Sequence, residues 1–203
     1  PRGTETSLAP RLKGMRRRFG VVPATIGAAA LAGAIGSGLL IHHNIKQLNS
    51  YWTSDEMEAF TAELEKKYLK NEKLPQPVIT EVRIAADIYP GERRFEARGS
   101  YRLRNDTGRA LRDVHVRRGD LDVRFTQLAI AGARRVQHDE KYGYSIFRFD
   151  RPLAPGATAE LNFASQIWHR GFRNRTQPTD VVRNGTFVNN FGFAPIVGMD
   201  RNG

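Results

Sequence analysis

The chain has 203 residues, of which 32 are Lys or Arg and 21 are Asp or Glu, so its formal net charge is +11. It contains no cysteine, which excludes a disulfide framework, a Cys-ligated zinc site and a Cys nucleophile. Eleven Phe, six Tyr and two Trp residues need burial, so a chain disordered throughout is excluded as well. The length fits one or two domains with a hydrophobic core.

The positive charge is unevenly distributed. Residues 1–20 carry a net charge of +5, and we interpret them as a basic cytoplasmic segment. No charged residue follows until Lys46, and the 21 residues of Val21–Ile41 are enough, at about 1.5 Å per residue, to cross a roughly 30 Å hydrocarbon core. We therefore predict a transmembrane helix over residues 21–45. A buried soluble helix and a cleaved signal peptide are the alternatives.

Small residues recur at every fourth position of this span, as in Ala28-Ala32-Gly36. Because that spacing lets helices approach closely in lipid, we expect the span to pack against neighbouring transmembrane helices. The adjacent His42 and His43 at its end are more typical of the headgroup interface than of a metal site.

Residues 46–73 are predicted to form a juxtamembrane linker and a short amphipathic helix. Thr53 and Glu56 fit a capping box, in which each side chain satisfies an exposed backbone N–H of the other residue. Apolar side chains then follow on one helical face: Met57, Phe60, Leu64 and Tyr68. We expect this face to dock on the chain's own domain, in preference to binding a partner.

From residue 74 onward the hydrophobic period changes to two, which is typical of β-strands. Alternating apolar positions in Val82–Ile88 and in Phe95–Leu103 predict a hairpin with one buried and one solvent-exposed face. Further strands are predicted around Leu111–Val116, Leu121–Ile130, Tyr144–Phe149 and Ala159–Ile167. The predicted fold class is mainly β: an antiparallel β-sandwich or saddle over residues 74–203, preceded by one transmembrane helix and a short amphipathic helix.

Much of the remaining positive charge lies at alternate strand positions, as in Arg94, Arg98 and Arg102. Acidic residues are interleaved with these arginines, and the aromatic residues occupy the inward positions, where they cannot stack on bases. We therefore predict no nucleic-acid partner.

No catalytic constellation is recognisable in the sequence. His115, His138 and His169 lack the spacing of metal ligands, and we expect surface or interstrand positions for them. His138-Asp139-Glu140 resembles the start of an H-E-x-x-H motif but lacks the second histidine, and it is predicted to lie in a turn. We assign no catalytic residue and no metal ligand to this chain.

Asn189 and Asn190 are adjacent and are surrounded by aromatic residues near the end of the β-region. Their amide groups offer donors and acceptors suited to lining a cleft. The alternative is turn chemistry, because Asn tolerates left-handed backbone conformations.

Several segments, taken in order, resemble a known domain: Leu74–Pro77, Tyr142–Phe149, Pro152–Gly156 and Asn184–Phe187. The chain is similar to the β-saddle domain that precedes the catalytic domain in the aminopeptidase N and leukotriene hydrolase family of zinc peptidases. It most resembles a bacterial branch in which an ABC-transporter permease is fused to such a region. The resemblance implies a location in a bacterial inner membrane, and the basic segment before the span predicts a cytoplasmic N terminus and a periplasmic β-domain.

The resemblance also implies where the chemistry lies. The family binds zinc through an H-E-x-x-H motif and a distal Glu; this chain has neither, so zinc is expected in a downstream catalytic domain of the parent protein. The family's β-domain contributes one polar side chain to the site for the substrate's free amine, shortly before a Pro-x-x-Asp turn. Here Asn189-Asn190 precede Pro195, but Asp200 follows that proline by five residues instead of three. Asn189 and Asn190 are accordingly the expected substrate-binding residues.

Two functions remain open at this point. The first is a scaffold and cleft wall for a peptidase, with the bilayer, the downstream catalytic domain and peptides as partners. The alternative is a non-enzymatic, membrane-tethered β-sandwich that serves in binding or assembly within a transport complex.

Overall fold

A computed structural model describes residue 14 and residues 20–49, 52–173, 178 and 180–199. The chain divides into two compact units, residues 1–51 and residues 52–203. The predicted basic segment lies outside the described residues, apart from Gly14 and Gly20.

The described part of the first unit contains one long helix. Helix α1 spans Val21–His42 and continues as a short π-helical segment, His43–Leu48. No residue of α1 is buried within the described chain. The stretch from Val21 to Leu48 is long and apolar enough to cross a membrane.

The second unit is built mainly from antiparallel strands, as predicted. After helix α2, Ser54–Tyr68, come β1 Val78–Tyr89, β2 Arg94–Arg104, β3 Leu111–Arg117, β4 Val123–Ile130, β5 Ala133–Asp139, β6 Tyr144–Leu153, β7 Thr158–Trp168, β8 Val181–Val182, β9 Gly185–Thr186, helix α3 Asn190–Phe193 and β10 Ile196–Val197. The first sheet has the order β1-β2-β7-β4, and the second has the order β10-β3-β6-β5. Strands β8 and β9 form a separate hairpin.

The two four-stranded sheets share one hydrophobic core and so form a β-sandwich. Inward residues of β2 and β7, such as Leu103 and Leu161, are fully buried and belong to the same cluster as Val114 of β3 and Phe147 of β6. The sequence alternation therefore predicted the inward face of these strands correctly.

Strand β1 departs from the prediction. It pairs with β2 along its whole length, which confirms the hairpin. Its predicted buried face is nevertheless exposed, because Val82, Ile84 and Ile88 retain 52%, 39% and 46% of their accessible surface. None of the three belongs to the core cluster, so the second sheet does not cover this edge of the first sheet.

Helix α2 docks on its own domain, as expected. The capping box is present: Glu56 N donates to Thr53 Oγ1 at 3.2 Å, and Thr53 N donates to Glu56 Oε2 at 2.8 Å. Phe60 and Tyr68 are buried in a second cluster with aromatic residues of the second sheet. The expectation for Met57 was wrong, since it is 37% exposed and lies outside that cluster.

Tyr68 fixes α2 to the second sheet through both its ring and its hydroxyl. The ring stacks on Tyr144 with centroids 4.0 Å apart, and the hydroxyl donates to Asp139 Oδ2 at 2.7 Å. Burial raises the pKa of Tyr68 to about 12, so this hydroxyl stays protonated. Lys67 adds an ion pair to the same carboxylate.

Strand β5 was not predicted from the sequence. His138 and Asp139 were expected in a turn, but both lie on β5, which pairs with β6. Val136 is the only large apolar side chain of this strand and is 43% exposed, so the strand lacks the alternation that identifies the others.

The arginines of β2 lie on the solvent-exposed face and are paired with carboxylates. Arg98 contacts Asp87 at 3.1 Å, and Arg102 contacts Glu81 at 2.6 Å. This face of the first sheet is therefore a row of alternating charges.

Candidate functional site

A cavity of about 390 Å³ lies at the end of the sandwich where β4 begins and β7 ends. Loops on both sides of these strands supply its walls, which is where binding residues are usually placed by a rigid scaffold. The lining residues are Asp120, Asp122, Ile167, Arg173, Pro178, Asp180, Phe187, Val188, Asn189 and Gly192.

Asn189, one of the two predicted site residues, lines this cavity. It is the N-cap of α3, and its Oδ1 accepts a hydrogen bond from Gly192 N at 2.8 Å. An Asn side chain at an N-cap uses its oxygen in this way, which leaves its Nδ2 as a donor. The side chain is exposed, so that donor is accessible to a ligand.

Asn190 was expected beside Asn189 in the site, but it is not among the residues that line the cavity. It is the first residue of α3, and its side chain is exposed. Its carbonyl accepts a hydrogen bond from Ala194 N at 2.9 Å, which closes the single turn of the helix. Among the described contacts, Asn190 serves α3 through its backbone.

His169 is only 4% exposed and lies next to two acids that line this cavity. Its Nε2 lies 2.8 Å from Asp180 Oδ2, and because a carboxylate accepts, Nε2 carries the donated hydrogen. Its Nδ1 lies 4.0 Å from Asp122 Oδ2, which is too long for a hydrogen bond. Within the described part of the chain, Nδ1 has no hydrogen-bond partner. The ring thus lies between two carboxylates that line the cavity.

Among the described residues that line the cavity, negative groups outnumber positive ones. Asp120, Asp122 and Asp180 supply three carboxylates, and Arg173 supplies one guanidinium. Arg173 Nη2 donates to Asp122 Oδ1 at 2.6 Å, so this cation is engaged by one of the three acids. The remaining negative charge favours a cationic group in the cavity.

Two backbone links hold the polar groups in place. Asp122 N donates to Asp120 Oδ1 at 2.8 Å, which ties the two acids into one turn. Arg93 donates from Nε and Nη2 to the carbonyl of His169, at 3.2 and 2.9 Å, and fixes the chain where it leaves β7.

The comparisons with known proteins identify no family for the chain. No protein-family model matches it, and no curated protein matches it. Solved structures similar to it include the M1 zinc metallopeptidase from Deinococcus radiodurans, at 16% identity over 51% of this chain with a TM-score of 0.37. A mutant of that enzyme bound to a Tyr-Ser-Ala substrate gives the same values. The chain covers 24% of the length of these structures.

Of the polar residues that line the cavity, the sequence singled out only Asn189, whose substrate-binding role stays a prediction. His169 was expected on the surface or between strands, and it is buried just after the end of β7. Asp122 and Asp180 are distant in sequence, and only the fold brings them to the two sides of one imidazole. The only local signal was the Asp120-Leu121-Asp122 pair before a strand.

The cavity suits an amine and an adjacent amide better than it suits a metal ion. Carboxylates bind an ammonium group by charge-assisted hydrogen bonds, and the Asn189 amide donates to a carbonyl oxygen. Phe187 is 82% exposed at the cavity wall and offers an apolar surface. Among the described residues, no group of three or more His, Asp or Glu side chains is arranged to hold a metal ion.

Proposed function

We propose that the chain is the membrane-anchored N-terminal β-domain of a zinc aminopeptidase-like protein linked to an ABC-type permease. In this proposal the β-domain serves as a scaffold and as one wall of the peptide-binding cleft. Zinc is bound by residues of a downstream catalytic domain, because the H-E-x-x-H motif is absent from this sequence. The position of Asn189 in the wall of an acidic cavity is the observation that carries the proposal.

The cavity would bind the N-terminal end of a peptide. The peptide's ammonium group is placed among Asp120, Asp122 and Asp180, and its first carbonyl accepts from the Asn189 amide. Phe187 packs against the first side chain. Peptides with a free amine are accordingly preferred over acetylated ones, because acetylation removes the positive charge.

The anchor is helix α1, whose exposed apolar surface supports insertion into a bilayer. The net charge of +5 in residues 1–20 supports a cytoplasmic N terminus, and the β-domain then lies on the periplasmic side of a bacterial inner membrane.

Substitution of Asn189 in the full-length protein tests the role of this cavity. Asn189→Ala and Asn189→Ser both remove the amide donor, whereas Ser retains an oxygen that caps α3. Both variants should raise KM for a free-amine peptide by about tenfold with little change in kcat, which is the effect of one lost hydrogen bond. The measurement is steady-state peptide hydrolysis by the protein in its native membranes.

The matched control is Asn190→Ala, which should leave KM unchanged. If Asn189→Ser restores the wild-type KM, the side chain only caps the helix and the proposed site is wrong. A full-length protein without zinc-dependent peptide hydrolysis, or without a downstream H-E-x-x-H motif, would contradict the peptidase assignment as a whole.

The exposed apolar face of β1 favours the second candidate function, a membrane-tethered module for binding or assembly. Under this alternative, deleting residues 74–203 disrupts complex formation but leaves peptide hydrolysis in the cell unchanged. Under the first proposal, the same deletion abolishes hydrolysis.

A further inference from the structure

Strand β1 is an edge strand with one unpaired side. In the described structure it pairs only with β2, and it lies at the end of the first sheet. Its register is regular from Glu81 to Tyr89, and the single irregularity falls between Ile79 and Glu81. An edge of this kind presents a row of free backbone N–H and C=O groups, which can pair with another strand.

The inner face of β1 continues the hydrophobic core without being covered. Val82 lies opposite Tyr101, and Ile88 lies opposite Phe95, two core residues that are each only 4% exposed. Val82, Ile84 and Ile88 nevertheless remain between 39% and 52% exposed. The apolar layer between the two sheets therefore continues onto β1, where no strand of the second sheet covers it.

The outer face of β1 carries charged side chains that form ion pairs with each other and with β2. Glu81 contacts Arg83 and Arg102, each at 2.6 Å, and Asp87 contacts Arg98 at 3.1 Å. Arg83 is 74% exposed and Asp87 is 49% exposed, so both can accept a further partner of opposite charge.

We propose that β1 pairs antiparallel with β1 of a second copy of this chain, about a twofold axis at Ala85. This register places Arg83 opposite Asp87 of the second copy, and the symmetry repeats the pair. The charge ladder then runs continuously across both molecules. On the inner face Val82 meets Ile88, and Ile84 meets Ala86, so the two uncovered apolar faces form one surface.

The other residue-centred registers lack a matched charge pair between Arg83 and Asp87. An axis at Ile84 sets Glu81 opposite Asp87, axes at Arg83 or Asp87 set like charges opposite themselves, and an axis at Ala86 sets Asp87 opposite Ala85. If the twofold axis passes between two successive residues, each residue lies opposite one from the other face of β1. Apolar side chains then lie opposite charged ones, because successive side chains point to opposite faces. Some registers place the apolar faces of both copies on the same side of the joined sheet. Among those with an axis within Arg83–Asp87, only the axis at Ala85 sets Arg83 opposite Asp87. The sequence of β1 thereby specifies the register of the proposed dimer, and the dimer does not depend on the peptide cavity.

A cysteine at the twofold axis tests this contact directly. The chain has no cysteine of its own, so Ala85→Cys introduces a single thiol that faces its own copy. Opposed residues of antiparallel strands have Cα atoms about 4.5–5.5 Å apart, within the range of a disulfide. Mild oxidation of the full chain in detergent should yield a disulfide-linked dimer, measured on a non-reducing gel.

Ala129→Cys is the matched control, because Ala129 is an exposed alanine on β4, the opposite edge of the same sheet. Adding Arg83→Asp to Ala85→Cys should reduce the dimer yield by about tenfold, since opposed like charges destabilise a cross-strand pair. Adding Asp87→Arg as well should restore the yield. Equal cross-linking of the two single-cysteine variants, or no recovery on charge exchange, would overturn the proposal.

Discussion

At the scale of single residues, His115 shows how a buried ionisable group is kept neutral. It lies on β3 and is 6% exposed. Asn71 Nδ2 donates to the Tyr144 hydroxyl at 3.1 Å, and this hydroxyl lies 2.7 Å from His115 Nδ1. Because the hydroxyl accepts from Asn71, its own hydrogen is free to be donated to Nδ1. In the neutral imidazole Nδ1 accepts this hydrogen bond, and protonation of Nδ1 would break it.

This arrangement predicts a loss of stability in mild acid. Burial lowers the pKa of His115 from its ordinary value of 6.5, against a smaller opposing effect of the Asp113 carboxylate. As the pH falls through 6.5, the unfolded chain therefore binds a proton that the folded chain does not. We expect a lower Tm at pH 5.5 than at pH 7.5, and His115→Gln should remove that difference. Thermal unfolding followed by circular dichroism at the two pH values is the measurement.

The pH range separates His115 from the nearby acid. The Arg148 guanidinium lowers the pKa of Asp113, so this acid loses its contribution only below about pH 4. An unchanged difference in Tm in the His115→Gln variant would show that another group titrates.

The local sequence could single out Asn189 as a candidate, but not the buried residues near the cavity that it lines. Adjacent asparagines beside aromatic residues are visible in a sequence, whereas the burial of His169 results from contacts between distant segments. Asn105 illustrates the same limit, because it resembles an ordinary turn residue. Its amide is fully buried and donates to the carbonyls of Arg109 and Leu153, each at 2.8 Å.

At the scale of elements, helix α2 is held to the sandwich by one aromatic cluster. Phe60 lies 5.3 Å from Trp52 and 5.0 Å from Tyr142, measured between ring centroids. Glu63 adds exposed contacts to Lys141 and to the Tyr142 hydroxyl. Since exposed ion pairs contribute little, the buried rings determine how firmly α2 is docked.

Phe60→Ala should therefore lower the free energy of unfolding by about 3 kcal/mol, the usual cost of removing a buried phenylalanine. The amides of α2 should also exchange faster with solvent. Met57→Ala on the same helix is the control and should cost less than about 1 kcal/mol, because Met57 is exposed. Denaturant titration and hydrogen exchange measure the two effects, and equal costs for both variants would contradict this docking.

The elements with a recognisable hydrophobic pattern were predictable, and β5, which lacks one, was not. The cap at Thr53 and the alternation in β2 each have a local physical cause that the sequence displays. Strand β5 has no buried large apolar residue, and the exposure of β1 depends on the width of the opposite sheet. Periodicity indicates which residues share a face, but not whether another element covers it.

At the scale of the whole molecule, the apolar helix should determine where the chain resides. Replacing both Leu31 and Ile35 with Arg should move the chain from the membrane to the soluble fraction. Each arginine at the centre of a span costs about 2.5–3.5 kcal/mol on insertion. Met57→Arg on α2 is the matched control and should leave the distribution unchanged. Fractionation after a carbonate wash is the measurement, and a wild-type chain found in the supernatant would refute membrane anchoring.

The position of β7 has a mechanical consequence for the cavity. β7 pairs with β2 on one side and with β4 on the other, and it ends directly before His169. Ile167 of this doubly paired strand lines the cavity, whereas Phe187 and Asn189 belong to the short connection between β9 and α3. For the proposed peptide site, we therefore expect adjustment to the size of the bound residue in the connection between β9 and α3, and not in β7.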